Sequence, residues 1–132
     1  MRTWTATSSA PPAAAWRLLS RPDSWAQWAP HVRGAWGLGA PEVRKGAAGA
    51  ARLFGAVPVP ARIVAKRPGR SWTWRVGRLV DMVHRVEPAD GGGCLVAIDL
   101  RAPGPVEPAL ALAYGPVIQL TLDRLAARAA AA

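Results

Sequence analysis

The chain has 132 residues, 51% of them hydrophobic and 19% charged, a balance that fits one globular core and is too short for two. Its net charge of +9 comes from 17 lysines and arginines against 8 acidic residues, an excess that favours anionic surfaces without naming one. The lone Cys94 excludes an intrachain disulfide, and the most apolar run, "PALALAYGPVIQLTL", is broken by Gly115, Pro116 and Gln119 and falls short of the roughly 20 residues of a membrane span.

Residues 1 to 15 lack the apolar centre of a secretory signal, so a cytoplasmic location is expected, with residues 1–132 forming one domain. Among the basic residues only Lys45 and Lys66 are lysines, and alanine, glycine and proline are abundant, so compositional bias accounts for part of the charge. A nucleic-acid module resting on charge alone, with no docking element, is the weakest reading.

Along the chain, "RTWTATSS" alternates and predicts a first strand with Trp4, Ala6 and Ser8 on one face. "APPAAAWRLLS" places prolines at a helix start and predicts a short helix ending near Ser20. "RPDSWAQW" restarts with Pro22 and Asp23 and sets Trp25 and Trp28 on one helical face before Pro30 ends it. "HVRGAWGL" reads as a strand and "GAPEVRKGAAG" as a loop. "AARLFGAV" and "PARIVAKR" read as strands joined around Val57, Pro58 and Val59, with Pro58 and Pro60 confined to a turn or a sheet edge. "RSWTWRVG" alternates Trp72, Trp74 and Val76 against Thr73 and Arg75. "LVDMVHRVE" groups Val80, Met82, His84 and Val86 on one face. "PADGGG" is a turn, and "CLVAIDLR" puts Cys94, Val96, Ile98 and Leu100 on one side. After "APGPVEP" the period changes: Tyr114, Ile118, Leu122 and Leu125 recur at helical spacing with Val117 and Thr121 beside them. This predicts a long C-terminal helix, bent near Gly115-Pro116, whose trailing "AARAAAA" frays.

The order is strand, two short helices, about six antiparallel strands and one long helix, about seven strands in all. A sheet of that size must cover its apolar face, and the last helix is the only element long enough to do so. Strong curvature around one helix leaves space between the two, and that space is the expected site.

The stretch "APPAAAWRLLSRPDSWAQWAP" resembles the opening of the SRPBCC superfamily, the START-like, helix-grip proteins with polyketide cyclase/dehydrase-like members. The resemblance lies in Ala10-Pro11, Ala15-Trp16, then Trp25, Trp28 and Pro30. "KRPGRSWTW" resembles the family's proline-then-tryptophan lead into a central strand. "HRVEPADGGGCLVAI" resembles its late hairpin, with Cys94 where threonine is more usual. The resemblance implies an α+β helix-grip fold and a cavity for a lipid, polyketide, sterol, hormone or similar small molecule. It implies no fixed reaction, since carriers, sensors and cyclases share the fold.

Trp16 and Trp28 are expected to pack the helix pair against the sheet and last helix, and Trp25 to guard a pocket mouth. The candidate ligand-lining residues are Trp36, Trp72, Trp74, Met82, His84, Val96, Ile98, Tyr114, Val117 and Ile118, aromatic and aliphatic walls with few polar points. Trp72 and Trp74 serve equally as core packing. His84 and Tyr114 are the candidate acid/base pair for an aldol cyclisation or dehydration, against the alternative of a structural histidine. His31, His84 and Cys94 show no zinc spacing, no Gly-x-Ser-x-Gly elbow appears, and "GAWGLG" lacks the context of a nucleotide loop, so no cofactor or metal is expected. Arg62, Lys66, Arg75 and Arg85 fall on the outward face of three strands, a basic stripe for an acidic partner or simply a solvated face. A binding or carrier protein for a small hydrophobic molecule leads; a cyclase/dehydrase-like enzyme is the alternative.

Overall fold

A computed structural model describes residues 1–53 and 57–131, with the side chains of residues 33 and 53 left aside. Seven strands form one antiparallel sheet in the order β1-β7-β6-β5-β4-β3-β2. They are β1 (Arg2–Ser8), β2 (Val32–Trp36), β3 (Ala48–Leu53), β4 (Val57–Arg67), β5 (Ser71–Val76), β6 (Val80–Pro88) and β7 (Cys94–Arg101). Helix α1 (Pro12–Ser20) and a 3₁₀ helix (Pro22–Gln27) follow β1, and helix α2 (Val106–Ala131) closes the described chain. This is the helix-grip α+β architecture, with the seven strands and the order of elements expected from the sequence pattern.

Each strand is extended where alternation is clean, because one face is then buried and the other wetted. The concave face carries Trp4, Ile98, His84 and Trp72 in one cross-strand row, and Leu100, Met82, Trp74 and Ile63 in the next. Residues 54–56, in which the strand expected over "AARLFGAV" continues, lie outside the described residues. Pro58 and Pro60 stand within β4, in the part that outruns β5: pairing with β5 stops at Ala61↔Val76, and the Pro60 carbonyl accepts from Gly77 N–H at 3.0 Å. Pro60 therefore meets Gly77 through its carbonyl alone, with no N–H to return the bond, and marks the end of the β4–β5 ladder.

Two register shifts alter the faces of the strands that carry them. One lies between Val32 and Gly34 in β2, the other between Ile63 and Ala65 in β4. An extra residue in one strand sends every later side chain to the opposite face. In β2 this aligns Trp36 with Ala50 and Pro60 on the convex side. In β4 it aligns Lys66 with Trp72 on the concave side.

Helix α2 packs on β1 and β7. Polar links fix it along β1: the Met1 ammonium meets Glu107, Gln119 Nε2 donates to the Thr5 carbonyl, and Ser8 Oγ donates to the Ala126 carbonyl. Gly115 lies against the Trp4 indole, and a Cβ there would fall 3.0 Å from the ring. The helix runs continuously past Pro116 to Ala131, and Ala126 and Ala129 are buried. The expected fraying of the alanine tail does not occur in the described part, because that turn packs rather than projecting into water.

Candidate functional site

Because α2 rests on the β1–β7 side, room is left over β4, β5 and β6. Two adjoining cavities occupy it. The smaller, about 40 Å³, lies among Trp25, His31, Trp72, His84, Ile98 and Thr121. The larger, about 170 Å³, lies among Ala51, Ala61, Val76, Val80, Leu100 and Leu110. Trp74, Met82 and Tyr114 line both. Neither cavity has a lysine, arginine, aspartate or glutamate among its described lining residues.

The wall of the smaller cavity is an aromatic stack. Trp25 stacks on Trp72 with centroids 5.2 Å apart, and Trp72 stacks on His84 at 3.9 Å. Trp74 stands edge-on to all three, at 5.5 to 5.8 Å. Offset and edge-to-face contacts of this kind add to the burial of the rings themselves.

The indole N–H groups explain why so many tryptophans gather near α1. A helix leaves its last carbonyls without internal partners. Trp28 Nε1 donates to the Leu18 carbonyl at 3.0 Å, and Trp25 and Trp72 both donate to the Leu19 carbonyl, at 2.9 and 3.0 Å. Val43 N–H completes the set at Ser20. Trp16 Nε1 donates to Glu42, which also holds Lys66 at 3.0 Å. Of the five buried tryptophans, four thus donate to a protein acceptor; Trp74 Nε1 is buried and has none among the described residues. Leaving such a donor unpaired costs about 1–3 kcal/mol.

His84 is 4% exposed, and its Nδ1 likewise makes no hydrogen bond of good geometry to a described group. Burial pushes its pKa down to about 3, with backbone groups of Trp72 and Met82 and the charge of Asp99 opposing. The ring is neutral at ordinary pH. Tyr114 is hydrogen-bonded to His31 Nε2, not to His84. Burial pushes the Tyr114 hydroxyl up to about 12 and lowers the His31 imidazole. The residue sequence reasoning missed is therefore His31, which the turn after the 3₁₀ helix brings against α2; no periodicity marks it.

Seven of the ten expected lining residues face a cavity: Trp72, Trp74, Met82, His84, Ile98, Tyr114 and Ile118. Trp36 does not: it is 50% exposed on the convex face, with the Arg52 guanidinium 5.9 Å from its ring centroid, for the register reason given above. Val96 is fully buried between its cross-strand neighbours Ala6 and Val86 and lines neither cavity. Val117 is half-buried on α2 and borders neither cavity. Trp25 is 2% exposed within the wall, not at a mouth.

The expected basic stripe is broken up. Lys66 is on the concave face with Glu42. Arg75 makes a bidentate pair with Asp81, and Arg85 binds Asp99 and Glu87. Burial alone would raise the Asp99 carboxyl, but hydrogen bonds from Arg85 and Thr3 hold it below the usual range. Arg62 is exposed. No group of three His, Cys, Asp or Glu side chains suited to a metal occurs among the described residues, and burial raises the Cys94 thiol. No helix among them is long and apolar enough to cross a membrane.

A curved antiparallel sheet closed by a C-terminal helix over an apolar cavity defines the helix-grip, START-like class. Solved structures share it at low identity. They include a protein from Thermobifida fusca (TM-score 0.76, 19% identity, 96% of this chain and 91% of that one) and XoxI from Bacillus cereus (0.75, 14%, 96% and 93%). Ara h 8.0201 also matches (0.69, 16%, 99% and 97%). No curated protein matches the sequence. The model of the family described as polyketide cyclase/dehydrase and lipid transport matches residues 3–130, and the chain belongs to that SRPBCC-type family.

Proposed function

We propose that the protein binds a small hydrophobic molecule (a polyketide, lipid or aromatic compound) between the sheet and α2, as a carrier or binding protein. The observation that supports this is the larger cavity, about 170 Å³, walled by Ala51, Val59, Ala61, Val76, Val80 and Leu110 with no charged neighbour among the described lining residues. Apolar walls with a few polar points suit ligands of that kind, and the family description fits the same reading.

Native mass spectrometry of protein purified from its own host, with extraction of whatever is bound, tests it. The expected result is one co-purified apolar species, lost in Ala61→Phe, which fills the cavity. Absence of any such species, and of binding by added apolar probes, would refute the reading.

An enzyme related to cyclases or dehydrases is the second reading, favoured by the hydrogen-bonded Tyr114 and His31 at the smaller cavity. His84 and Tyr114, both at that cavity, remain proposed participants, with His31 as the added proton partner of Tyr114. An enzyme loses turnover but keeps ligand affinity in Tyr114→Phe or His84→Ala; a carrier responds chiefly to changes at Trp72 and Trp74.

A further inference from the structure

The two cavities differ in size and polarity, and the difference specifies a ligand. Resting on the binding reading above, we propose that the ligand is an uncharged molecule of about one ring carrying a hydroxyl or carbonyl oxygen. Its apolar body fills the larger cavity, and its oxygen enters the smaller one to accept from Trp74 Nε1–H beside the imidazole of His84.

Size argues first. An apolar protein cavity of about 150 Å³ takes a benzene ring, and a water needs only about 10–15 Å³. The larger cavity, about 170 Å³, is on the one-ring scale, and the smaller, about 40 Å³, holds an oxygen function or a few waters. A fused polycyclic body exceeds that one-ring scale.

Polarity argues second. The other four buried indoles are committed to protein acceptors, three of them capping α1, so their N–H groups are not available. Trp74 lines both cavities and is the one whose donor is buried and unpaired among the described residues. His84, edge-on to it, is 4% exposed, and its Nδ1 makes no hydrogen bond of good geometry to a described group. Trp74 and His84 both line the smaller cavity, and a buried donor the fold leaves unpaired among the described residues, Trp74 Nε1–H, is where a ligand oxygen recovers a hydrogen bond.

Charge argues third. A carboxylate or ammonium buried here would meet no counter-ion among the described lining residues, and the desolvation of a lone charge opposes binding strongly. The imidazole of His84, held neutral by burial, does not supply one.

The test uses probes matched in size: phenol, toluene and benzoate, with anthrone as a neutral three-ring comparison. Binding is followed at neutral pH by chemical-shift titration of the nitrogen-15-labelled protein. Phenol should bind about tenfold more tightly than toluene, as one recovered hydrogen bond allows. It should also shift the Trp74 indole N–H signal, whereas toluene should bind without that shift and benzoate should not bind. In Trp74→Phe the preference for phenol over toluene should shrink toward unity while toluene affinity persists. Should that variant fail to fold, the Trp74 signal of the unaltered protein decides. Equal affinities for phenol and toluene, tighter binding of benzoate, or an unmoved Trp74 signal would overturn the inference while leaving the binding reading intact. Anthrone binding in the cavity without phenol would do the same. Failure of all four probes would overturn the inference, and together with the absence of any co-purified apolar species it would remove the binding reading as well.

Discussion

His84 lies face to face with Trp72 and edge-on to Trp74, and its titration is set by that packing. In the unfolded chain its imidazole takes a proton near the ordinary value of about 6.5; in the folded chain it does so only at about 3. Between those values the unfolded state binds the extra proton, so acidification favours unfolding. Stability is therefore full above about pH 6.5 and falls as the pH drops toward 3, by up to about 1.4 kcal/mol per pH unit for one such group. His31, lowered by burial, adds to the loss in the same direction. Asp99, held low by Arg85 and Thr3, contributes only further down, in the carboxylate range. Denaturant unfolding from neutral to mildly acid pH should show this decline, and imidazole nitrogen shifts should report a neutral His84 throughout. An imidazole that titrates near its ordinary value would mean that water reaches the ring, and the closed stack would then be wrong.

At the scale of elements, α2 is held where it is by what β1 offers it. Gly115 brings the helix backbone against the Trp4 indole, with 3.0 Å between the place of a Cβ and the ring. Gly115→Val would drive a branched side chain into that contact and lift α2 from β1, against the links from Gln119 and Ser8. Overpacking of this kind costs about 1–3 kcal/mol, and the thermal midpoint should fall by several degrees. An unchanged midpoint would show that the helix is free to slide. The elements themselves were legible: alternation gave the strands, proline and helical spacing gave α1 and α2, and the covering role of α2 followed from length alone. Faces were legible only where a strand ran without a register shift. Trp36 and Lys66 both lie just beyond one, and a single inserted residue reverses everything after it. Alternation cannot reveal such a shift, because it depends on the partner strand. The partnership of His31 with Tyr114 was invisible for a related reason: a turn residue and a helix residue 83 positions apart share no local pattern.

The whole molecule carries +9, and its carboxylates are largely spoken for. Glu42, Asp81, Glu87, Asp99 and Glu107 each sit in an ion pair, and of the described arginines only Arg75 and Arg85 take part in these pairs, so most of the positive charge is left uncompensated. Two opposing effects then decide how salt acts. Screening weakens the exposed pairs, each worth about 0–1 kcal/mol at most, and it also relieves the repulsion among the excess positive charges. Because every added charge of like sign repels all the others, whereas each pair involves two or three groups, the repulsive part should dominate. The thermal midpoint should therefore rise as ionic strength goes from about 0.01 M to about 0.15 M, over which the screening length shortens from about 30 Å to about 8 Å. The rise should be larger in Asp81→Asn, which frees Arg75 on the outer face, than in the unaltered chain. A midpoint that falls with salt would show that the network of Arg85, Asp99 and Glu87 outweighs the general repulsion. The cavities, lined by no described charged residue, should hold a neutral probe equally well at either salt concentration, which separates the charge of the surface from the chemistry of the site.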